Sequence, residues 1–187
     1  MSKLIVVALP EEFQREYKPT GFDILYTGIG KVNAAIQLSK YLTINPYTNF
    51  VINYGTAGAS EDLYKGQLLS VKALLERDMD LTPLGLPLYV TNEKQDVLIY
   101  TSNKDGAVIC GTGDSFARPQ HGYEIVDMEA YSLAATAQMF KVPFYCYKYI
   151  SDVDSDEDHG KEWENNVSKG AKLFLEQIFQ ENRYFRG

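Results

Sequence analysis

Residues 4–12 read Leu4-Ile5-Val6-Val7-Ala8-Leu9-Pro10-Glu11-Glu12. Apolar side chains follow one another without the alternation of a half-exposed strand and stop at a proline, the pattern of a strand buried on both faces. Outward from it, a second strand is expected at 22–27, stopped by Gly28-Ile29-Gly30. From Lys31 the period becomes helical, with Val32, Ala35, Ile36, Ser39 and Leu42 on one stripe until Asn45-Pro46 ends it. Residues 50–54 form another apolar strand, ending in a turn at Gly55-Thr56-Ala57-Gly58. Further strands are expected at 68–75, 97–101, 107–110 and 143–150, with 124–127 leading into a helix over 128–140 and another helix at the end of the chain. That closing helix carries Trp163, Val167, Ala171, Phe174 and Ile178 on one stripe. Strands alternating with helices predict an α/β fold: a single domain over 1–187 with a central mixed, twisted sheet flanked by helices.

Composition narrows the function classes. Hydrophobic residues make up 45% and charged residues 23% of the 187, a globular balance that can bury a core without staples. The net charge of −7 argues against a grip on nucleic-acid phosphates or on anionic membranes. Cys110 and Cys146 sit in apolar runs without metal-like spacing and read as buried thiols of a reducing compartment. The 4–9 run is too short for a signal-peptide core, and no other run approaches membrane-spanning length. A soluble, cytoplasmic protein is therefore expected.

Small or acidic residues repeatedly follow the strand ends: Pro10-Glu11-Glu12, Gly28-Ile29-Gly30, Gly55-Thr56-Ala57-Gly58, Asp127-Met128-Glu129 and Ser151-Asp152. Ligands of open α/β sheets bind in the crevice outside the carboxyl ends of the strands. Paired carboxylates in such a cleft are what acid/base hydrolysis of a glycosidic bond uses. Each element also has a plain structural reading. Glu11, Glu12 and Glu129 fit as acids near helix N-termini, and Gly28-Ile29-Gly30 fits as a tight turn, since it completes neither a dinucleotide fingerprint nor a P-loop. Asp152 to Asp158 places acids at alternate positions, yet Glu157 and Trp163 occupy positions that a calcium loop reserves for glycine and a terminal ligand. His121 and His159 have no evident partner and stay unassigned. Tyr145, Tyr147 and Tyr149 read as strand packing.

Taken together, seven collinear blocks resemble the nucleoside phosphorylase/hydrolase superfamily, most of all the bacterial 5′-methylthioadenosine/S-adenosylhomocysteine nucleosidases. They are Ala8-Leu9-Pro10-Glu11-Glu12, Thr27 to Ala35, Asn53 to Gly58, Arg77 to Thr82, Gly113-Asp114-Ser115-Phe116, Val126-Asp127-Met128-Glu129-Ala130 and Ile150-Ser151-Asp152-Val153. The resemblance implies cleavage of the N-glycosidic bond of a purine nucleoside by water, releasing adenine in methionine salvage. By the same resemblance Glu12 is the base that deprotonates the water. Asp152 is the acid that protonates the purine N7, for which it must hold a proton near neutral pH. Ser151 supports that carboxyl, Glu129 takes the ribose hydroxyls, and Met128 lies against the sugar. Phe116 stacks on the purine, backbone groups around Ala117 read its edge, and Thr56 floors the water and ribose site. No metal or organic cofactor is implied; a homodimer is.

Phosphorolysis runs on the same fold but needs a cationic pocket. No arginine lies in either glycine segment, and Glu12 would repel phosphate, so water is the expected nucleophile. Lys148 stands where the family often has arginine. The stretch between Glu12 and Thr27, and that from Leu84 to Asp96, are shorter than the family pattern, which leaves the 5′-substituent open. A purine nucleoside phosphorylase, a futalosine-type nucleosidase and a catalytically silent nucleoside-binding homologue fit the same blocks.

Overall fold

The computed structural model describes residues 2–60, 64–90, 97–153 and 158–181. In chain order it has β1 (Ser2–Val7), β2 (Phe22–Tyr26), α1 (Lys31–Ile44), β3 (Thr48–Ala59), β4 (Leu68–Glu76), β5 (Ile99–Tyr100) and β6 (Val108–Thr112). Then come β7 (Ile125–Asp127), α2 (Ala130–Met139), β8 (Phe144–Val153), α3 (His159–Asn166) and α4 (Gly170–Gln180). The expected mixed α/β architecture is what forms, a central sheet flanked by helices. No helix among the described residues is long and apolar enough to cross a membrane.

β1 pairs in parallel with β2 on one edge and β3 on the other. β8 runs parallel along the far edge of β3 and then antiparallel to β4. β4 pairs with β6 in parallel and with β5 antiparallel, and β6 pairs in parallel with β7. β7 returns to β3, meeting it antiparallel at Gly58 and Ala59. The path β3-β8-β4-β6-β7 therefore closes on itself. β1 leaves β3 after Asn53, whereas β7 arrives only at Gly58. Residues 54–57 of β3 are left with one open edge, and the candidate site is built there.

Two apolar layers hold the sheet. On one side Ala34, Leu38 and Leu42 of α1 and Ala130, Leu133, Ala134 and Ala137 of α2 cover Leu4, Val6, Val51, Leu74 and Ile150. On the other, Phe13, Tyr54, Tyr147, Phe174 and Ile178 form an aromatic layer beneath α4. There the Tyr54 and Phe174 rings stack at 4.5 Å. Cys110 and Cys146 are free and buried, as their apolar settings predict. Burial pushes the Cys146 thiol up to about 12, which keeps it protonated and inert.

Several elements depart from their sequence pattern. The buried face of α1 is Ala34, Leu38 and Leu42. Of the expected stripe only Leu42 points inward, and Val32 and Ile36 are exposed. Both faces of this helix carry aliphatic residues, so periodicity alone cannot choose between them. β3 and β8 run on through Gly55-Thr56-Ala57-Gly58 and Ser151-Asp152 instead of ending before them. The closing helix is two helices with a turn at 167–169. A Cβ on Gly170 would lie 2.4–2.5 Å from atoms of Tyr149 and Tyr54, so the chain needs glycine where α4 enters the aromatic layer.

Candidate active site

Glu12 leaves the end of β1 on a short turn, its N–H donating to the Leu9 carbonyl at 3.2 Å. No strand takes the Thr56 N–H on the open edge of β3; the Glu12 Oε1 accepts it at 2.8 Å, together with the Thr56 hydroxyl at 2.9 Å. Glu12 Oε2 accepts the Leu9 N–H at 3.1 Å. A buried carboxylate thus completes the strand edge as a backbone carbonyl would. There is no helix at 10–12, so the helix-dipole reading of Glu11 and Glu12 does not apply: Glu11 is exposed and Glu12 is buried.

Asp152 approaches the same segment from β8. Its Oδ1 accepts the Ser151 hydroxyl at 2.7 Å, and its Oδ2 lies 3.0 Å from the Nδ1 of His159. The two glycines of Gly55-Thr56-Ala57-Gly58 make room for these acids. A Cβ on Gly55 would sit 3.2 Å from Glu12 Oε1, and one on Gly58 would sit 2.9 Å from Asp152 Oδ2. They are strand residues that admit side chains, not turn residues, and Gly58 also lines the cavity on which these acids open.

Glu129 closes the third side. Its Oε1 accepts the N–H of Gly30, ahead of α1, at 2.8 Å. The capping of α2 falls to Asp127, whose Oδ2 accepts the N–H groups of Glu129 and Ala130 at 3.2 and 2.8 Å. Asp127 is also ion-paired with the buried Lys148 at 2.7 Å, which holds its pKa below the usual carboxylate range despite burial. Glu129 has no such partner among the described residues. Burial and the neighbouring Asp127 and Glu12 carboxylates push it up to about 8, against the pull of Lys148.

These groups face one cavity of about 470 Å³, within the range of small-molecule sites. Glu12, Thr56, Phe116, Ala117, Met128, Glu129, Ser151 and Asp152 all line it. Phe116 stands at the rim, 69% exposed. Among the described residues no cluster of three or more His, Cys, Asp or Glu side chains could hold a metal ion. The calcium-loop reading of Asp152 to Asp158 falls on 154–157, outside the described residues.

Three residues join the site without having been singled out for it. Trp163 turns into the cavity, where its Nε1–H donates to the Thr56 hydroxyl oxygen at 2.8 Å. His159, at the start of α3, meets Asp152. Arg77 lines the cavity from the loop after β4, and its Nη2 donates to the carbonyl oxygens of Gly113 (3.0 Å) and Ser115. Trp163 fits a core stripe equally well on spacing, and no spacing rule links a histidine to an aspartate seven positions away. The sign available was Asp158-His159-Gly160, a cap and first turn a few residues on from Ser151-Asp152 in the sequence.

No family model matches the chain. It is 33% identical to the 5′-methylthioadenosine/S-adenosylhomocysteine nucleosidase of Bacillus subtilis, over 77% of this chain and 73% of that relative. Among solved structures it superposes on the Helicobacter pylori nucleosidase of the same name, crystallised with butyl-thio-DADMe-Immucillin-A. There the TM-score is 0.80 and the identity 23%, covering 96% of this chain and 98% of the other. A futalosine hydrolase mutant from the same organism matches at TM-score 0.82 and 21% identity, covering 96% and 99%.

Proposed function

Since the chain belongs to the 5′-methylthioadenosine/S-adenosylhomocysteine nucleosidase family, we propose that it hydrolyses the N-glycosidic bond of one of these nucleosides, releasing adenine. The observation that carries this reading is the pair of buried carboxylates, Glu12 and Asp152, held on either side of residues 55–58 and opening on one cavity. Water attacks C1′ while Glu12 takes its proton. The C1′–N9 bond breaks, its electron pair leaves with adenine, and the Asp152 carboxyl protonates N7 so that the base departs neutral. Ser151 orients Asp152, and Thr56 orients Glu12. Glu129 binds the ribose hydroxyls: in its protonated form it offers one donor as well as acceptors. Met128 packs on the sugar, and Phe116 with the backbone at Ala117 takes the purine at the rim.

In this scheme the enzyme works in the cytoplasm, in methionine salvage, as a homodimer, and without metal or organic cofactor. Support for the dimer comes from Ile29, Val32 and Ile36, an exposed apolar stripe at helical spacing on and just before α1.

One observation favours phosphate as nucleophile instead. Arg77 Nε is buried in the cavity wall without a hydrogen-bond partner among the described residues. Against it, the Nη2 of that guanidinium is spent on two carbonyls, and Glu12 would repel an anion. Incubation with methylthioadenosine, with and without inorganic phosphate, separates the two. Phosphate-independent release of adenine and free methylthioribose is expected; formation of methylthioribose 1-phosphate would overturn the hydrolytic reading.

A further inference from the structure

His159 and Trp163 stand four residues apart on α3, hence on one face of the helix. His159 Nδ1 lies 3.0 Å from Asp152 Oδ2, and Trp163 Nε1–H donates to the Thr56 hydroxyl oxygen at 2.8 Å. That hydroxyl in turn donates to Glu12 Oε1 at 2.9 Å. One turn of one short helix therefore reaches the candidate acid directly and the candidate base through a single hydroxyl. The helix is itself tied down on the side of the sheet. Asp158 caps it, accepting the Lys161 N–H at 3.1 Å, and Asn166 Nδ2 donates to the Ser151 carbonyl at 3.0 Å.

We infer that α3 is a clamp that sets the acid and the base relative to each other, with His159 and Trp163 as positioning residues. The inference rests on the hydrolytic roles proposed for Glu12 and Asp152. Neither residue needs to exchange a proton with substrate. His159 fixes the Oδ2 edge of Asp152 as Ser151 fixes the Oδ1 edge, so the carboxyl cannot rotate away from the cavity. Trp163 orients the Thr56 hydroxyl, leaving its proton for Glu12. Misplacing either group by about 1 Å costs on the order of 100-fold in rate, a loss in turnover and not in ground-state binding.

The test is steady-state turnover of methylthioadenosine by wild type, His159→Leu, His159→Asn, Trp163→Phe, the His159→Leu/Trp163→Phe double variant, Glu12→Gln and Asp152→Asn. His159→Leu and Trp163→Phe should each lose roughly 10- to 100-fold in kcat, with KM for His159→Leu nearly unchanged. His159→Asn, whose amide offers both a donor and an acceptor near the Nδ1 position, should recover most of that loss. The double variant should lose less than the product of the two single losses, since either break frees the same clamp. Wild-type kcat in either single variant would overturn the inference. So would a His159→Leu loss confined to KM, or one that His159→Asn fails to repair. If Glu12→Gln and Asp152→Asn turn over like wild type, the acid–base reading fails. If those two are dead while the α3 variants are normal, the clamp alone fails.

Discussion

Glu129 is a carboxyl in a setting that opposes its charge: buried, accepting one N–H from Gly30, and close to the Asp127 and Glu12 carboxylates. Its folded value of about 8 lies above the 4.5 of an unperturbed glutamate. Between those values the folded protein holds a proton that the unfolded chain has lost. Its contribution to stability is therefore complete below about pH 4.5 and is lost as pH rises through about 8. The urea midpoint of wild type should fall across that interval by an amount worth on the order of a few kcal/mol. In Glu129→Gln that part of the slope should vanish; equal slopes in both proteins would show that the folded carboxyl titrates no differently from the unfolded one. Gly55 and Gly58 answer to the same local crowding, because any side chain there would displace one of the two acids.

Among the elements, α4 depends on a single glycine. Gly170 lets the helix start against the Tyr149 ring and the Tyr54 hydroxyl, and a Cβ at that point would overlap both. Gly170→Ala should destabilise the protein by about 1–3 kcal/mol, read as a lower urea midpoint, even though alanine is the better helix former. The end of the chain reads as one helix and folds as two, with Gly170 opening the second where it meets β3 and β8. The stripe from Trp163 to Ile178 is continuous in period, but the steric demand at Gly170 comes from β3 and β8, far away in sequence. Whereas the order of strands in the sheet is set by pairing between distant segments, the alternation of strands and helices and the spans of α1 and α2 were legible because each is a local pattern. The continuation of β3 and β8 into their small and acidic residues was not, since a glycine that admits a neighbour's carboxylate looks like one that turns the chain. All eight candidate site residues face one cavity; seven of them stand in the collinear blocks, and Ala117 directly follows one. His159, Trp163 and Arg77 needed the packing of α3 and of the 113–115 loop to be seen.

At the scale of the molecule, the site exists because the sheet closes imperfectly. β1 leaves β3 at Asn53 and β7 joins it at Gly58, and the open edge between them is where Glu12 binds Thr56 and Asp152 comes alongside. The ion pair of Asp127 and Lys148 sits beneath that gap, fully buried. It ties β7 to β8 and keeps a cation close to Gly55 and Glu12 without exposing it to the cavity. Glu12 is bound to β3 and Asp152 is carried by β8, so the placement of the two carboxylates belongs to the sheet. The most direct measurement is adenine release from methylthioadenosine in phosphate-free buffer by wild type, Glu12→Gln and Asp152→Asn, each verified as folded. Wild type should turn over, and both variants should lose at least about 100-fold in kcat. Wild-type turnover by either variant, or a wild-type enzyme that releases no adenine, would contradict the assignment of the two carboxylates as base and acid.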